Sequence, residues 1–119
     1  MDLATAGLRT TDHDGIIRVD FIERNILDEA NIQLIGDGLN QIIEANAQPR
    51  LLICFENVEH LSSAALGALI TVSNRVGSKE GQLRLSDIND QILEVFRITR
   101  LDQMFQIHGT AAEAMASFS

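Results

Sequence analysis

Hydrophobic and polar positions along this chain change their spacing several times, and each spacing predicts a different element. On either side of Asp14-Gly15, apolar and polar residues alternate in part, which is typical of antiparallel strands joined by a tight turn. We therefore expect strands from Leu8 to Thr11 and from Ile16 to Phe21. By contrast, residues 51–55 (LLICF) are apolar without interruption and suit a strand that is covered on both faces.

Apolar residues at spacings of three and four predict three amphipathic helices. The first helix should begin after Asp28, a suitable N-cap, and end before Pro49. The second should begin near Ser62 or Ser63 and end at Gly77. The apolar stripes are, in chain order, Ile32, Ile35, Leu39, Ile42 and Ile43; then Leu66, Leu69, Ile70 and Val76; then Ile88, Ile92, Val95 and Phe96.

The remaining segments complete the order of elements. Leu83 and Leu85 alternate with polar neighbours and predict a strand, and the stretch MFQIHGT predicts a short one. Thr110 and Glu113 have the spacing of a capping box for a last short helix. The order β-β-α-β-α-β-α-β-α implies right-handed crossovers. We therefore predict one α/β domain over residues 1–119, with a mostly parallel sheet, an N-terminal antiparallel hairpin and about four helices.

Composition and charge narrow the class of protein. Apolar residues make up 45% of the chain and charged residues 22%, as in ordinary globular domains. The formal net charge is −8, and the nine basic residues are scattered along the chain. The chain therefore lacks the cluster of positive charge that binding to nucleic acid or to an anionic membrane requires. The N-terminal sequence has no leader pattern and no apolar run could span a membrane. With a single cysteine, these features predict a cytoplasmic protein.

The serine pair Ser62-Ser63 lies between a predicted strand and a predicted helix, where α/β sheets display their functional groups. A serine hydrolase of this class needs glycines two residues before and after the nucleophile. Ser63 has Leu61 and Ala65 at those positions, and His60 is not placed on a separate loop as a general base would be. We therefore expect no catalytic residue and no enzyme.

Metal and cofactor sites are also not expected. His13, His60 and His108 are isolated in the sequence, and Cys54 falls inside a predicted buried strand, where it is read as a small core residue. The segment GDG at 36–38 lacks the third glycine and the preceding strand of a dinucleotide fingerprint. We read it as two glycines tolerated in a helix.

One serine suffices to cap the helix, so the second hydroxyl is available for another role. A phosphate at that position would meet unpaired N–H groups and the positive end of the helix dipole. It would add about −1.5 to −2 charges to the surface, enough to displace a docked partner. A small domain without a catalytic constellation could act as a binary switch in this way.

The strand LLICFENVEHL followed by SSAALGALI resembles the signature of STAS domains, specifically that of the small stand-alone anti-sigma factor antagonists of bacteria. In that family, the hydrophobic strand ends at an acidic residue, followed by a serine pair or a serine-threonine pair and by Gly-Leu-Gly at a helix start. The resemblance covers essentially the whole chain. It implies a regulator that binds an anti-sigma factor serine kinase, is released by phosphorylation, and is restored by a phosphatase.

Aligned on Leu66-Gly67, the phosphorylated residue of the family corresponds to Ser63, with Ser62 as the second candidate. Ser62 occupies the usual acidic position, and Ala65 replaces a glycine, adding a methyl group that we place on the surface a partner would approach. The residues that the resemblance implies for partner binding are Asp28, Glu59, Ser62, Ser63, Ala64 and Leu66. Asp28 also fits a helix N-cap, and Leu66 also fits a core position.

Two alternatives remain open on the residues alone. The domain could bind its partner constitutively, with Ser62 and Ser63 serving only as a helix cap. It could instead be a small-molecule or nucleotide sensor that uses the same cleft.

Overall fold

The structure, a computed structural model, describes residues 7–118; residues 1–6, on which the expectation about a leader rests, and residue 119 lie outside them. The strands are β1 (Leu8–His13), β2 (Ile16–Phe21), β3 (Asn25–Ile26), β4 (Arg50–Cys54), β5 (His60–Leu61), β6 (Gln82–Ser86) and β7 (Gln106–His108). The helices are α1 (Glu29–Glu44), α2 (Ser63–Ser78), α3 (Asp90–Ile98) and α4 (Ala111–Ala116), with a 3₁₀ turn at Leu101–Gln103.

The main sheet has the strand order β1-β2-β4-β6-β7. β1 pairs antiparallel with β2, whereas the other neighbours are parallel. Asp14 and Gly15 turn the hairpin with φ values of 53° and 89°, the backbone that a two-residue hairpin turn requires. The predicted mixed sheet with an antiparallel edge hairpin and four helices is confirmed.

The two faces of the sheet have different coverings. Leu51 and Ile53 of β4 belong to the main hydrophobic cluster, which lies under α1 and α2. Leu52 and Cys54 alternate with them and point to the other face, where α4 packs across β4, β6 and β7. The buried apolar residues of α1 and α2 are Ile32, Ile35, Leu39, Ile42 and Ile43, and Ala65, Leu66, Leu69, Val72 and Val76.

Several elements begin or end where the sequence did not predict, among them β4, which is Arg50–Cys54 and not residues 51–55. α3 begins at Asp90, and Ile88 precedes it, because Asn89 caps the helix through a 2.9 Å bond from the Ile92 N–H to its Oδ1. Val95 was expected in the core stripe of α3, but it is 41% exposed. The first strand also extends beyond Thr11 to the end of β1.

The end of α2 was wrongly placed at Gly77. The helix continues to Ser78, and Glu80 takes the left-handed backbone with φ 56°. The Gly81 N–H then bonds to Val76 O at 2.9 Å and the Glu80 N–H to Gly77 O at 3.0 Å, the pattern of a Schellman motif. A glutamate therefore occupies the position that usually favours glycine.

Candidate functional site

A second, two-stranded sheet forms the frame of the candidate site and was not predicted from the sequence. β3 pairs in parallel with β5, so that Ile26 lies opposite Leu61. The Ser62 N–H extends this pairing with a 3.1 Å bond to Ile26 O. The residues that follow the paired positions, Leu27-Asp28 on one side and Ser62-Ser63 on the other, are therefore neighbours. The starts of α1 and α2 lie side by side.

Ser62 is the N-cap of α2. Its backbone is extended, with φ −83° and ψ 166°, and its Oγ accepts a 3.2 Å hydrogen bond from the Ala65 N–H. Its carbonyl accepts the first helical bond, from the Leu66 N–H at 3.2 Å. The cap role that the sequence allowed for either serine belongs to Ser62.

Ser63 is the first residue of α2, and its side chain is exposed. Within residues 7–118, its hydroxyl makes no hydrogen bond. A hydroxyl at this position adjoins the unpaired N–H groups and the positive dipole of the first helical turn. The structure therefore separates the two serines into one structural hydroxyl and one accessible hydroxyl.

Acidic side chains border this surface. Asp28 caps α1, accepting a 3.3 Å bond from the Ala30 N–H, which confirms its predicted cap role. Glu59 precedes β5 and forms a 3.6 Å ion pair with Arg24. Because the two side chains are 57% and 74% exposed, this ion pair contributes little to stability.

Residues in the first turn of α2 lie partly at the surface and partly in the core. Ala64 is exposed, whereas Leu66 is 8% exposed and belongs to the hydrophobic cluster, as its alternative core position predicted. Ala65 is 4% exposed and also lies in the core. The expectation that the Ala65 methyl group faces an approaching partner is therefore wrong, since the helix turns this Cβ towards the sheet.

Asn89 supports the site, and sequence reasoning missed it. Besides capping α3, it donates from Nδ2 to Val58 O at 3.2 Å and to Glu59 O at 3.1 Å. These bonds tie the loop before β5 to the start of α3. An asparagine just before Asp90 was the available signal, because asparagine is among the most favourable N-caps.

Two exposed apolar residues also escaped the sequence reasoning. Leu27 is 54% exposed next to the serine pair, and Ile22, which follows β2, is 50% exposed. Neither residue lies on a periodic stripe, so no pattern of spacing indicated that they lie at the surface. Leu27 therefore places an accessible apolar side chain beside the accessible hydroxyl of Ser63.

The other chemistry-bearing residues do not gather at this surface. His60 is exposed on β5 and makes no side-chain hydrogen bond to Ser63 in the part of the chain that the structure describes. No group of three or more metal-binding side chains occurs within residues 7–118. Over the same residues, no helix is both long and apolar enough to cross a membrane.

Cys54 is buried, but its surroundings are more polar than the sequence indicated. Its Sγ lies 3.3 Å from Asp87 Oδ2 and 3.6 Å from an Arg18 guanidinium nitrogen, on the sheet face away from the main cluster. Burial raises the pKa of the Cys54 thiol to about 11, because the thiolate is poorly solvated there. The thiol is protonated at neutral pH and unsuited to nucleophilic chemistry.

A comparison with protein-family models identifies the family of this chain. The family model for the STAS domain matches residues 8–114. This match spans most of the chain, so the chain belongs to the STAS-domain family.

Solved structures share this fold. An anti-sigma-factor antagonist (STAS) domain protein from Planctomyces limnophilus is 20% identical, with a TM-score of 0.83 over 94% of this chain and 97% of that chain. An anti-sigma factor antagonist from Mycobacterium paratuberculosis is 21% identical, with a TM-score of 0.80 over 92% and 91%. The Bacillus cell fate determinant SpoIIAA in its phosphorylated form is 14% identical, with a TM-score of 0.71 over 92% and 96%.

Proposed function

We propose that this protein is a cytoplasmic anti-sigma factor antagonist that binds an anti-sigma factor serine kinase and is released when the kinase phosphorylates Ser63. A phosphatase returns it to the binding form. The observation that carries the proposal is the difference between the two serines. Ser62 caps α2, whereas the Ser63 hydroxyl is exposed and makes no hydrogen bond within the described chain. Modification of Ser63 therefore removes no hydrogen bond on which the helix depends.

The docking surface of this proposal comprises the exposed residues around that hydroxyl. Leu27 supplies an apolar contact, and Ala64 leaves the first turn of α2 open to close approach. Asp28 and Glu59 lie at its rim, where Glu59 is paired with Arg24. Leu66 acts from the core, where it holds the serine-bearing turn against the sheet.

Phosphorylation affects the fold and the docking surface differently. The start of α2 tolerates a phosphate, since its N–H groups and dipole favour negative charge. The docked complex does not, because a dianion beside Leu27 keeps water at an apolar contact and would have to be desolvated there. The likeness to a SpoIIAA structure in phosphorylated form supports the view that this fold accommodates the modification.

The proposal is tested by incubating the chain with its cognate kinase and ATP and mapping the modified residue by peptide mass spectrometry. We expect phosphate on Ser63, its loss in Ser63→Ala, and its retention in Ser62→Ala. Ser63→Asp should weaken kinase binding by roughly a hundredfold, whereas Ser63→Ala should bind like the wild type.

The same experiment separates the switch from constitutive binding. An unmodified serine pair after demonstrated kinase activity, together with equal affinities for Ser63→Ala and Ser63→Asp, would show constitutive binding without a switch. Failure of the kinase to bind in either form would contradict the proposed function as a whole.

A further inference from the structure

A groove of about 340 Å³ runs between α1 and α2 and opens beside the start of α2. Buried Ile32 and Val72 form its bottom, and the α2 side presents only small side chains, those of Ala64, Ala68 and Thr71. On the α1 side, a Cβ added at Gly36 would meet nothing within 4 Å. The groove is therefore wide enough to admit side chains from another molecule.

The charges along this groove have one sign. Among residues 7–118, Glu29 and Asp37 line it and no lysine or arginine does. Neither carboxylate forms an ion pair within the described residues. The two positions are eight residues apart on α1, a rise of about 12 Å along the helix. The groove thus presents two separated negative charges without a cation between them.

The groove is also lined by polar side chains, among them Gln33, Asn40 and Thr71. Asn40 Oδ1 is buried and has no partner among residues 7–118. The Thr71 hydroxyl is already committed, since it donates to Gly67 O at 3.2 Å. Asn40 Oδ1 is inaccessible from the groove, whereas the exposed amide of Gln33, which lines the groove, can reach an occupant. The two carboxylates fit a cationic occupant.

We propose that this groove binds a basic amphipathic helix of the partner kinase, with lysine or arginine residues seven or eight positions apart reaching Glu29 and Asp37. This inference rests on the proposed function and extends its docking surface along α1 and α2. A groove between two helices accepts the side chains of a third helix, and that spacing covers about 10–12 Å. Ala64 belongs both to the groove and to the surface around Ser63, so the two parts are continuous.

The two parts would contribute differently to binding. The apolar contact at Leu27 is the part that phosphorylation disrupts, whereas the groove carboxylates are unchanged by it. Complementary charges chiefly speed association and fix the orientation of the partner. The groove should therefore determine which partner binds, whereas the phosphorylation state of Ser63 should determine the lifetime of the complex.

The test uses two matched glycine substitutions and the purified kinase that phosphorylates this chain. Gly36→Arg fills the groove and supplies the cation from within, whereas Gly77→Arg makes the same change on α2 away from the groove. A Cβ at either glycine meets nothing within 4 Å, so both variants should fold, which thermal denaturation checks. We expect Gly36→Arg to weaken kinase binding by about tenfold or more, with Gly77→Arg within about twofold of the wild type.

A charge-matched pair tests the electrostatic part. The double variant Glu29→Gln and Asp37→Asn removes both groove carboxylates, and the control variant Asp90→Asn and Asp102→Asn removes two exposed carboxylates elsewhere. At low salt, the groove variant should bind about tenfold more weakly than the control, and the difference should shrink as salt screens the charges.

Equal kinase affinities for Gly36→Arg and Gly77→Arg, or for the two double variants, would overturn the groove as a docking site. If Ser63→Asp still weakened binding in that case, the proposed function would stand without it. A wild-type chain that the kinase neither binds nor phosphorylates would overturn both proposals.

Discussion

The amino and carboxyl ends of the parallel strands are held together by different kinds of contact. At the amino end, backbone packs directly on backbone: the Gln82 N–H bonds to Pro49 O at 2.8 Å, and a Cβ at Gly81 would collide with that same oxygen. At the carboxyl end, side-chain oxygens of Asp28, Ser62 and Asn89 cap the three long helices. The amino end tolerates little change, whereas the carboxyl end holds its shape through a few caps and leaves neighbouring side chains free for function.

The largest expected effect is at the amino end. Gly81→Ala should lower the free energy of unfolding by about 2 kcal/mol, because the new methyl group has to displace Pro49. Urea denaturation measures this, with Gly77→Ala as the control. In the control, the methyl group enters open space within a helix and should raise stability by about 0.5–1 kcal/mol. Equal stabilities of the two variants would show that Pro49 leaves room for a methyl group at position 81.

Asn89→Ala should have the largest effect at the carboxyl end. It removes the α3 cap and leaves the carbonyls of Val58 and Glu59 without their donor, so we expect a loss of about 2 kcal/mol. Asn89→Ser keeps a capping oxygen but not the amide, and should restore about half of the loss. If Asn89→Ser were as stable as the wild type, the bonds to the loop before β5 would contribute nothing.

The smallest effects separate the two serines. Ser62→Ala should cost about 1 kcal/mol, since the Ala65 N–H loses its acceptor. Ser63→Ala should change stability by less than about 0.5 kcal/mol. The two variants differ by a single position, so denaturation curves measured side by side are sufficient. The reverse order of stabilities would show that the cap had been assigned to the wrong residue.

The sequence predicted the architecture well where a physical signal extended over many residues. The stripe of α1, with Asp28 before it, fixed that helix and its cap because each apolar residue repeats the same face. The Asp14-Gly15 turn fixed the hairpin register, since few residue pairs accept that backbone.

Predictions of helix ends were wrong where the residue that starts or ends the helix was not the one that the sequence pattern indicated. Ile88 continued the apolar stripe of α3 although it lies before the cap, where it lines the same cavity as Leu93 in the manner of a hydrophobic staple. At the end of α2, Glu80 took the left-handed position expected of Gly77, because the chain must turn sharply to bring Gly81 against Pro49.

Only part of the candidate site could be predicted from the sequence. The serine pair stood out through its place between strand and helix, and the division between Ser62 and Ser63 needed the geometry of the cap. β3 and β5 have two residues each, too short for any periodic signal, so the placement of Leu27 beside the serines could not be read from the sequence.

Under the proposed function, the short pairing of β3 with β5 would determine how a kinase recognises Ser63. Leu27 and Asp28 adjoin the serine only in the folded chain, because they lie far from it in the sequence. A peptide spanning Ser63 carries half of that surface, so an enzyme acting there would read a conformational epitope and not a linear motif. Unfolded or newly made chains would then escape modification, and the extent of phosphorylation would report on correctly folded molecules alone.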